Sequence, residues 1–286
     1  MRVKSVVFAM IAGACVFLTG CSSGTSGTDK ADAAASAPDE NRETPQSGAD
    51  ASKPPAPPES PAPEAVRYES LDETDGEFRF SYNWPAQVTA IPALSAMLTK
   101  ERSTLYDEWQ AKWTGAKKDV PSDCQACRTY SYGKDWQVVT DIERYLSLSA
   151  QVTTYTGGAH GMLVFDSAVF DRKTGALLDP VNMFRSKEAL NAAVKDAFCA
   201  QLDRGRAKKR GGRDIGGTFS ECIEPVANSA VILGSASGQR FDRIGFLIPP
   251  YNAGPYAEGS YEVTLNLTPA ILDAVRPEYR RSFQVP

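Results

Sequence analysis

The chain changes its pattern of apolar and polar positions three times. Val6 to Leu18 is an apolar run, about the length of a signal-peptide core and too short to cross a bilayer. Arg2 and Lys4 precede it. From Ser22 to about residue 65 large apolar side chains nearly vanish, leaving Ser, Gly, Ala, Asp, Glu and Pro. Such a stretch cannot offset the entropy of ordering and is expected to be disordered. Its end, Lys53 to Pro63, is proline-rich and favours an extended polyproline spacer of about 3.1 Å per residue. From residue 66 onward, periodic apolar patterns appear and continue to the C-terminus.

Between Ala65 and Pro85, the alternation of Phe78, Phe80 and Tyr82 predicts a strand with one apolar face. Pro92 is suited to a first helical turn. Leu94, Leu98, Leu105 and Trp109 then form a helical stripe reaching about Trp113, ended by Thr114-Gly115. Arg128 to Val139 and Ile142 to Tyr155 read as strands, with Val138, Ile142, Tyr145, Leu146 and Leu148 as their apolar positions. Met162 to Phe170 is another strand, and Asp171 to Gly175 turns it into Leu177-Leu178. Ser186 is placed to cap a helix from Lys187 to Leu202, with Leu190, Val194, Phe198 and Leu202 on one face. Gly205 to Gly217 reads as a loop of glycines and arginines. Val231 to Leu233, Phe241 to Ile248 and Tyr261 to Leu267 are strands, and Thr268-Pro269 opens a short helix. Strand runs with interspersed helices define an α+β fold of antiparallel sheets, with one or two packed helices per subdomain. The expected organisation is a signal peptide at 1–20, a tether at 21–65, and α+β subdomains at 66–155 and 156–286.

Composition removes several functions. The 286 residues carry 31 basic and 35 acidic side chains, a net of −4, which argues against a nucleic-acid partner. Beyond residue 65 the balance is nearly neutral, so long-range steering is not the design. His160 is the single histidine. It excludes a multi-histidine metal site, and no metal or cofactor is expected.

The apolar run ends Leu18-Thr19-Gly20-Cys21. This resembles the lipobox of bacterial lipoproteins, which implies lipidation of Cys21 and cleavage before it. Several acyl chains hold a protein on a membrane without a spanning helix. Ser22, not Asp, follows the anchor, which by the enteric sorting rule favours the outer membrane, facing the periplasm, over the inner.

An exported domain meets an oxidising compartment. Cys124, Cys127, Cys199 and Cys222 allow three pairings. Cys124–Cys127 with Cys199–Cys222 is favoured, because the first pair is local. The second would close a loop worth roughly 3 kcal/mol in the chain-entropy model. The Cys124-Gln-Ala-Cys127 stretch sits in a polar loop, without the strand-to-helix setting that lowers a thiol pKa for redox work.

Two motifs carry a family resemblance. Tyr155-Thr-Gly-Gly158-Ala-His160-Gly-Met162 leads into a strand and the Phe170-Asp171-x-x-Thr174-Gly175 turn. Later, Phe246-Leu-Ile-Pro-Pro-Tyr251-Asn252-Ala-Gly-Pro-Tyr256-Ala-Glu258-Gly259 precedes Val263-Thr264-Leu265. Together they resemble the family catalogued as domain of unknown function 3298, often preceded by companion domain 4163, over roughly residues 68 to 275. That family includes the lysozyme-binding extracellular part of an anti-sigma factor and the N-terminal part of a peptidoglycan deacetylase. The resemblance implies a non-enzymatic envelope module that binds or senses a lysozyme-like protein or peptidoglycan. It does not imply catalysis, since the deacetylase activity lies in a separate domain.

The candidate binding residues are Tyr155, Gly158, His160, Tyr251, Asn252, Tyr256 and Glu258. Glycines around His160 permit positive φ and close backbone approach. Its imidazole is either a ligand-facing group or a lock on its own turn. Tyrosines on the Pro/Gly loop offer flat apolar faces with polar tips. A hydrolase using His160 is the main alternative, weakened by the absence of a G-x-S-x-G elbow. Gly234 to Gly238 reads as a flexible turn instead. A structural or assembly lipoprotein is the other alternative. Six cations from Arg204 to Arg213 read as a mobile, solvated loop with some capacity for anionic envelope polymers.

Overall fold

The computed structural model describes residues 64–71, 77–213 and 215–286. The signal segment, Cys21 and the tether as far as residue 63 lie outside the described residues. The elements are β1 (Val66–Leu71), β2 (Phe78–Trp84), α1 (Ala86–Thr89), α2 (Pro92–Ala116), α3 (Gln125–Arg128), β3 (Tyr130–Asp141) and β4 (Tyr145–Tyr155). They continue with β5 (Met162–Asp171), β6 (Ala176–Leu178), α4 (Lys187–Arg210), β7 (Ala230–Gly234), β8 (Arg243–Ile248), β9 (Tyr261–Asn266) and α5 (Pro269–Ala274).

The architecture is α+β, with a six-stranded sheet in the order β1-β2-β3-β4-β5-β6 and a three-stranded sheet in the order β7-β8-β9. Neighbours run antiparallel, except that β2 and β3 are parallel, with Tyr82 opposite Lys134. The alternation pattern specifies faces but not direction, so this pair was expected to be antiparallel. Parallel neighbours need a crossover, and the segment holding α1, α2 and α3 supplies it. The division at 155/156 falls in the turn between β4 and β5, which pair with Thr154 opposite Met162. The six-stranded sheet therefore draws strands from both sides of that division.

The α4 stripe is buried throughout, whereas in α2 Leu105 and Trp109 are only half-buried against the core that Leu94 and Leu98 enter. Leu94, Leu98 and Trp113 of α2 are buried with Phe78, Phe80, Tyr82 and Trp84 of β2. Trp113 stacks on Phe78 with ring centroids 5.4 Å apart. The Ser186 hydroxyl caps α4 by accepting from Ala189 N at 3.1 Å. Leu190, Val194, Phe198 and Leu202 join the core of the three-stranded sheet, where Phe198 meets Phe246 edge-on at 5.2 Å.

Two loop expectations are corrected. The stretch from Gly205 is helical as far as Arg210, and Gly211 ends the helix with φ +60°. The buried face continues at the same four-residue spacing, with Arg206 and Arg210 following Leu202. Charge at those two positions hid the continuation of the stripe. The Gly234–Gly238 turn is clamped, not flexible: the buried Asp242 carboxylate accepts from Ala236 N at 2.8 Å and Ser237 N at 3.1 Å.

Candidate functional site

Three turns meet at one end of the six-stranded sheet. The first carries the Cys124–Cys127 disulfide, with Cα atoms 5.3 Å apart. Cys124 is the N-cap of the one-turn helix α3, where the sequence predicted a polar loop. Gln125 O binds both the amide and the hydroxyl of Thr129, at 3.0 and 2.9 Å, and this closes the turn. The second turn joins β4 to β5. Its Gly157 has φ +86°, and a Cβ there would lie 3.3 Å from both Ala126 O and Cys127 O. Tyr155 donates its hydroxyl to Gly158 O at 2.8 Å. Tyr155 and Gly158 therefore shape the turn that carries His160.

The third turn is the Tyr/Gly segment between β8 and β9. Tyr256 donates to Gly161 O at 3.0 Å, across 95 residues of chain. Its ring stacks on His160 with centroids 4.0 Å apart and planes 18° from parallel. His160 Nδ1 lies 2.8 Å from Gly161 O, so this nitrogen carries the proton and donates it. Nε2 pairs with the Tyr251 hydroxyl at 3.1 Å. Tyr251 has φ +73°, the one positive value outside glycine among the described residues, and stays 45 % exposed. A tyrosine held in left-handed backbone and turned to solvent is costly, and such strain gathers at functional sites. Asn252 is half-buried and bonds Asn228 O through Nδ2 at 2.9 Å.

Glu258 plays another part. Its carboxylate takes two hydrogen bonds from Arg210, at 2.9 and 3.1 Å, and one from the Tyr261 hydroxyl. The Arg210 guanidinium holds the Glu258 carboxyl below the usual carboxylate range. Burial, and then the Glu258 carboxylate, push the Tyr261 hydroxyl up to about 12. Arg206 donates to Ala253 O at 3.0 Å, and Lys209 donates to Glu258 O at 2.6 Å and Ser260 O at 2.5 Å. The last two turns of α4 thus grip the Tyr/Gly segment from behind. Glu258 belongs to this clamp, away from the exposed rings of His160 and Tyr251. Of the six cations expected in a mobile loop, Arg206, Lys209 and Arg210 form this clamp, and Arg206 and Arg210 are buried. Their four-residue spacing after Leu202 was the signal that would have revealed this.

A polar network missed by the sequence reading lies on the α2 side of the sheet. Lys134, 4 % exposed, bonds Glu101 at 2.6 Å and Asp166 at 2.7 Å. Glu101 also accepts from the Tyr82 hydroxyl at 2.8 Å, which accepts from Trp136 Nε1 at 2.9 Å. Glu101 and Asp166 reach the surface of a cleft of about 550 Å³ that extends to Pro249 and Asn252.

The ring nitrogens of His160 are held by a backbone carbonyl and a tyrosine hydroxyl, not by a serine or carboxylate. No group of three or more metal-ligating side chains occurs among the described residues. No described helix is long and apolar enough to cross a membrane.

A family model described as deacetylase PdaC matches residues 72–163. No curated protein matches the chain. Two crystal structures of DUF3298-family proteins are similar. One, from Bacteroides fragilis, is 15 % identical, covering 77 % of this chain and 95 % of its own, with a TM-score of 0.45. The other, from Pseudomonas aeruginosa, is 17 % identical, covering 76 % and 96 %, with a TM-score of 0.44. The matched segment includes the first of the two motifs, Tyr155 to Met162, and ends before the second.

Proposed function

We propose that this chain is a non-enzymatic lipoprotein of the bacterial envelope, whose α+β domain binds a lysozyme-like protein or peptidoglycan. Acylation at Cys21 would hold it on the outer membrane, facing the periplasm, with the segment to residue 65 providing reach. The observation that carries the reading is the exposed pair of His160 and the strained Tyr251, backed by the half-buried ring of Tyr256. Stacked rings with polar rims suit a sugar ring or a protein surface. The clamp from α4 holds the segment in place before a ligand arrives, which lowers the ordering cost of binding.

The test is calorimetry of the mature, oxidised protein against lysozymes and against purified peptidoglycan fragments. Saturable binding to one of them, lost in Tyr251→Ala with the fold intact, is the expected outcome. Absence of binding to both, or binding unaltered in Tyr251→Ala and His160→Ala, overturns the reading. Inhibition of muramidase activity would separate an inhibitor from a sensor. For the anchor, Cys21→Ala should move the protein from the membrane to the soluble fraction.

A further inference from the structure

One edge of the six-stranded sheet is left open. β5 pairs with β4 along Met162–Asp171 but with β6 only at Val169, Phe170 and Asp171. β6 stops there for a local reason. Asp179 caps the next turn by accepting from Val181 N at 2.8 Å, and Pro180 starts it. A proline has no N–H to continue the ladder. Among the described residues, 162–168 therefore have a strand on one side only.

Which backbone groups face the open side follows from alternation. Ser167 N donates to the Asp166 side chain at 2.8 Å, so it points away from β4. In an antiparallel strand every second residue points both backbone groups the same way, so Leu163 and Phe165 face out too. Gly161 obeys the same parity, and its outward carbonyl is taken by Tyr256 and His160. The open edge is thus closed off at Gly161 and partly at Ser167. Between them the N–H and C=O groups of Leu163 and Phe165 have no partner among the described residues. Met162 and Val164 beside them are 41 % and 42 % exposed.

The edge from Val164 to Ala168 lines the 550 Å³ cleft together with the segment from Val226 to Val231, and Leu163 lies next along the strand. The ionisable groups at the cleft's surface are Glu101, Asp166, Asp179 and Lys187. The first two share the single ammonium of Lys134, so the cleft keeps an acidic excess.

From these observations we infer that the cleft binds an extended peptide segment of a protein partner, added as a strand to β5 in line with β6. The segment pairs with the backbone of Leu163 and Phe165, and carries a Lys or Arg on the face that meets Asp166 and Glu101. Strand addition of this kind takes affinity from the main chain and specificity from alternate side chains. The inference goes beyond the aromatic surface and does not depend on it.

The probe is the heptapeptide acetyl-Thr-Lys-Val-Lys-Val-Lys-Thr-amide, with two controls: glutamate in place of each lysine, and N-methylation of both valines. Hydrogen exchange is followed by mass spectrometry on the unaltered mature protein. The lysine peptide, at millimolar concentration, should slow exchange across 162–168. N-methylation should weaken binding about tenfold or more through the lost ladder bonds, and the glutamate peptide should protect least. Tyr251→Ala should bind the probe as wild type does, which keeps this result separate from that of the aromatic face. No protection at 162–168, equal effects of all three peptides, or protection that rises with protein concentration alone would overturn the inference. The last of these would assign the edge to a second copy of the chain.

Discussion

Arg210, on the last turn of α4, holds both oxygens of Glu258 in the Tyr/Gly segment, Nε to Oε1 at 2.9 Å and Nη2 to Oε2 at 3.1 Å. The two side chains are largely buried, 6 % and 14 % exposed. This pair couples a helix built for the core of the three-stranded sheet to the loop that presents Tyr251 and Tyr256.

Removing one partner of such a pair leaves a buried charge unmatched. Arg210→Met should destabilise the fold by about 3–5 kcal/mol, read by urea denaturation at pH 7. The pH dependence has a definite sign. Arg210 keeps the Glu258 carboxyl depressed in the folded state. Its contribution is in place above the unfolded-state value of about 4.3 and is lost as pH falls through the lower folded value. Glu258→Gln should therefore lose less stability than wild type on going from pH 5 to about pH 3.

Tyr251 separates stability from recognition. Its φ of +73° is a conformation that costs an L-residue about 1–2 kcal/mol. Tyr251→Gly removes that cost, offset in part by a more flexible unfolded chain. Its thermal midpoint should equal or exceed that of wild type while binding is lost. A clear fall in the midpoint would show that the ring serves packing.

Gly161 tests how tightly the His160 turn is built. A Cβ there would sit 2.8 Å from Thr154 O, a backbone atom with little freedom to retreat. Gly161→Ala should cost about 1–3 kcal/mol by overpacking. It should also disturb the carbonyl that receives Tyr256 and His160, so loop amides near Tyr256 should exchange faster.

The Cys199–Cys222 bridge closes a sequence separation of 23 residues between α4 and the segment before β7. Paired Cys199→Ser and Cys222→Ser substitutions should lower stability by about 3 kcal/mol in the chain-entropy model. Equal urea midpoints for the oxidised protein and this variant would contradict it.

Most elements were legible because each rests on a local rule. Alternating Phe78, Phe80 and Tyr82 make a strand face, and the spacing from Leu190 to Leu202 makes a helix stripe. The Ser186 and Thr268 caps mark helix starts through bonds spanning three residues. The end of α4 was missed because two buried arginines, Arg206 and Arg210, break the apolar pattern. Their burial is offset by acceptors more than forty positions away, Ala253 O for Arg206 and the Glu258 carboxylate for Arg210. The candidate residues were sorted by the same distant partners: Glu258 to the clamp, Asn252 to a carbonyl of Asn228, and His160 to the exposed rings.

By itself the sequence determined the α+β succession of strands and helices and the two glycine- and tyrosine-rich turns. These depend on composition, periodicity and contacts within a few residues. Only the tertiary structure decided that β2 and β3 run parallel, that Arg206 and Arg210 point inward, and that β5 keeps an open edge beside an acidic cleft. Strand direction, the partner of a buried charge and an unfilled ladder position are all properties of pairs. A pair distant in the chain leaves no mark on either residue's own neighbourhood.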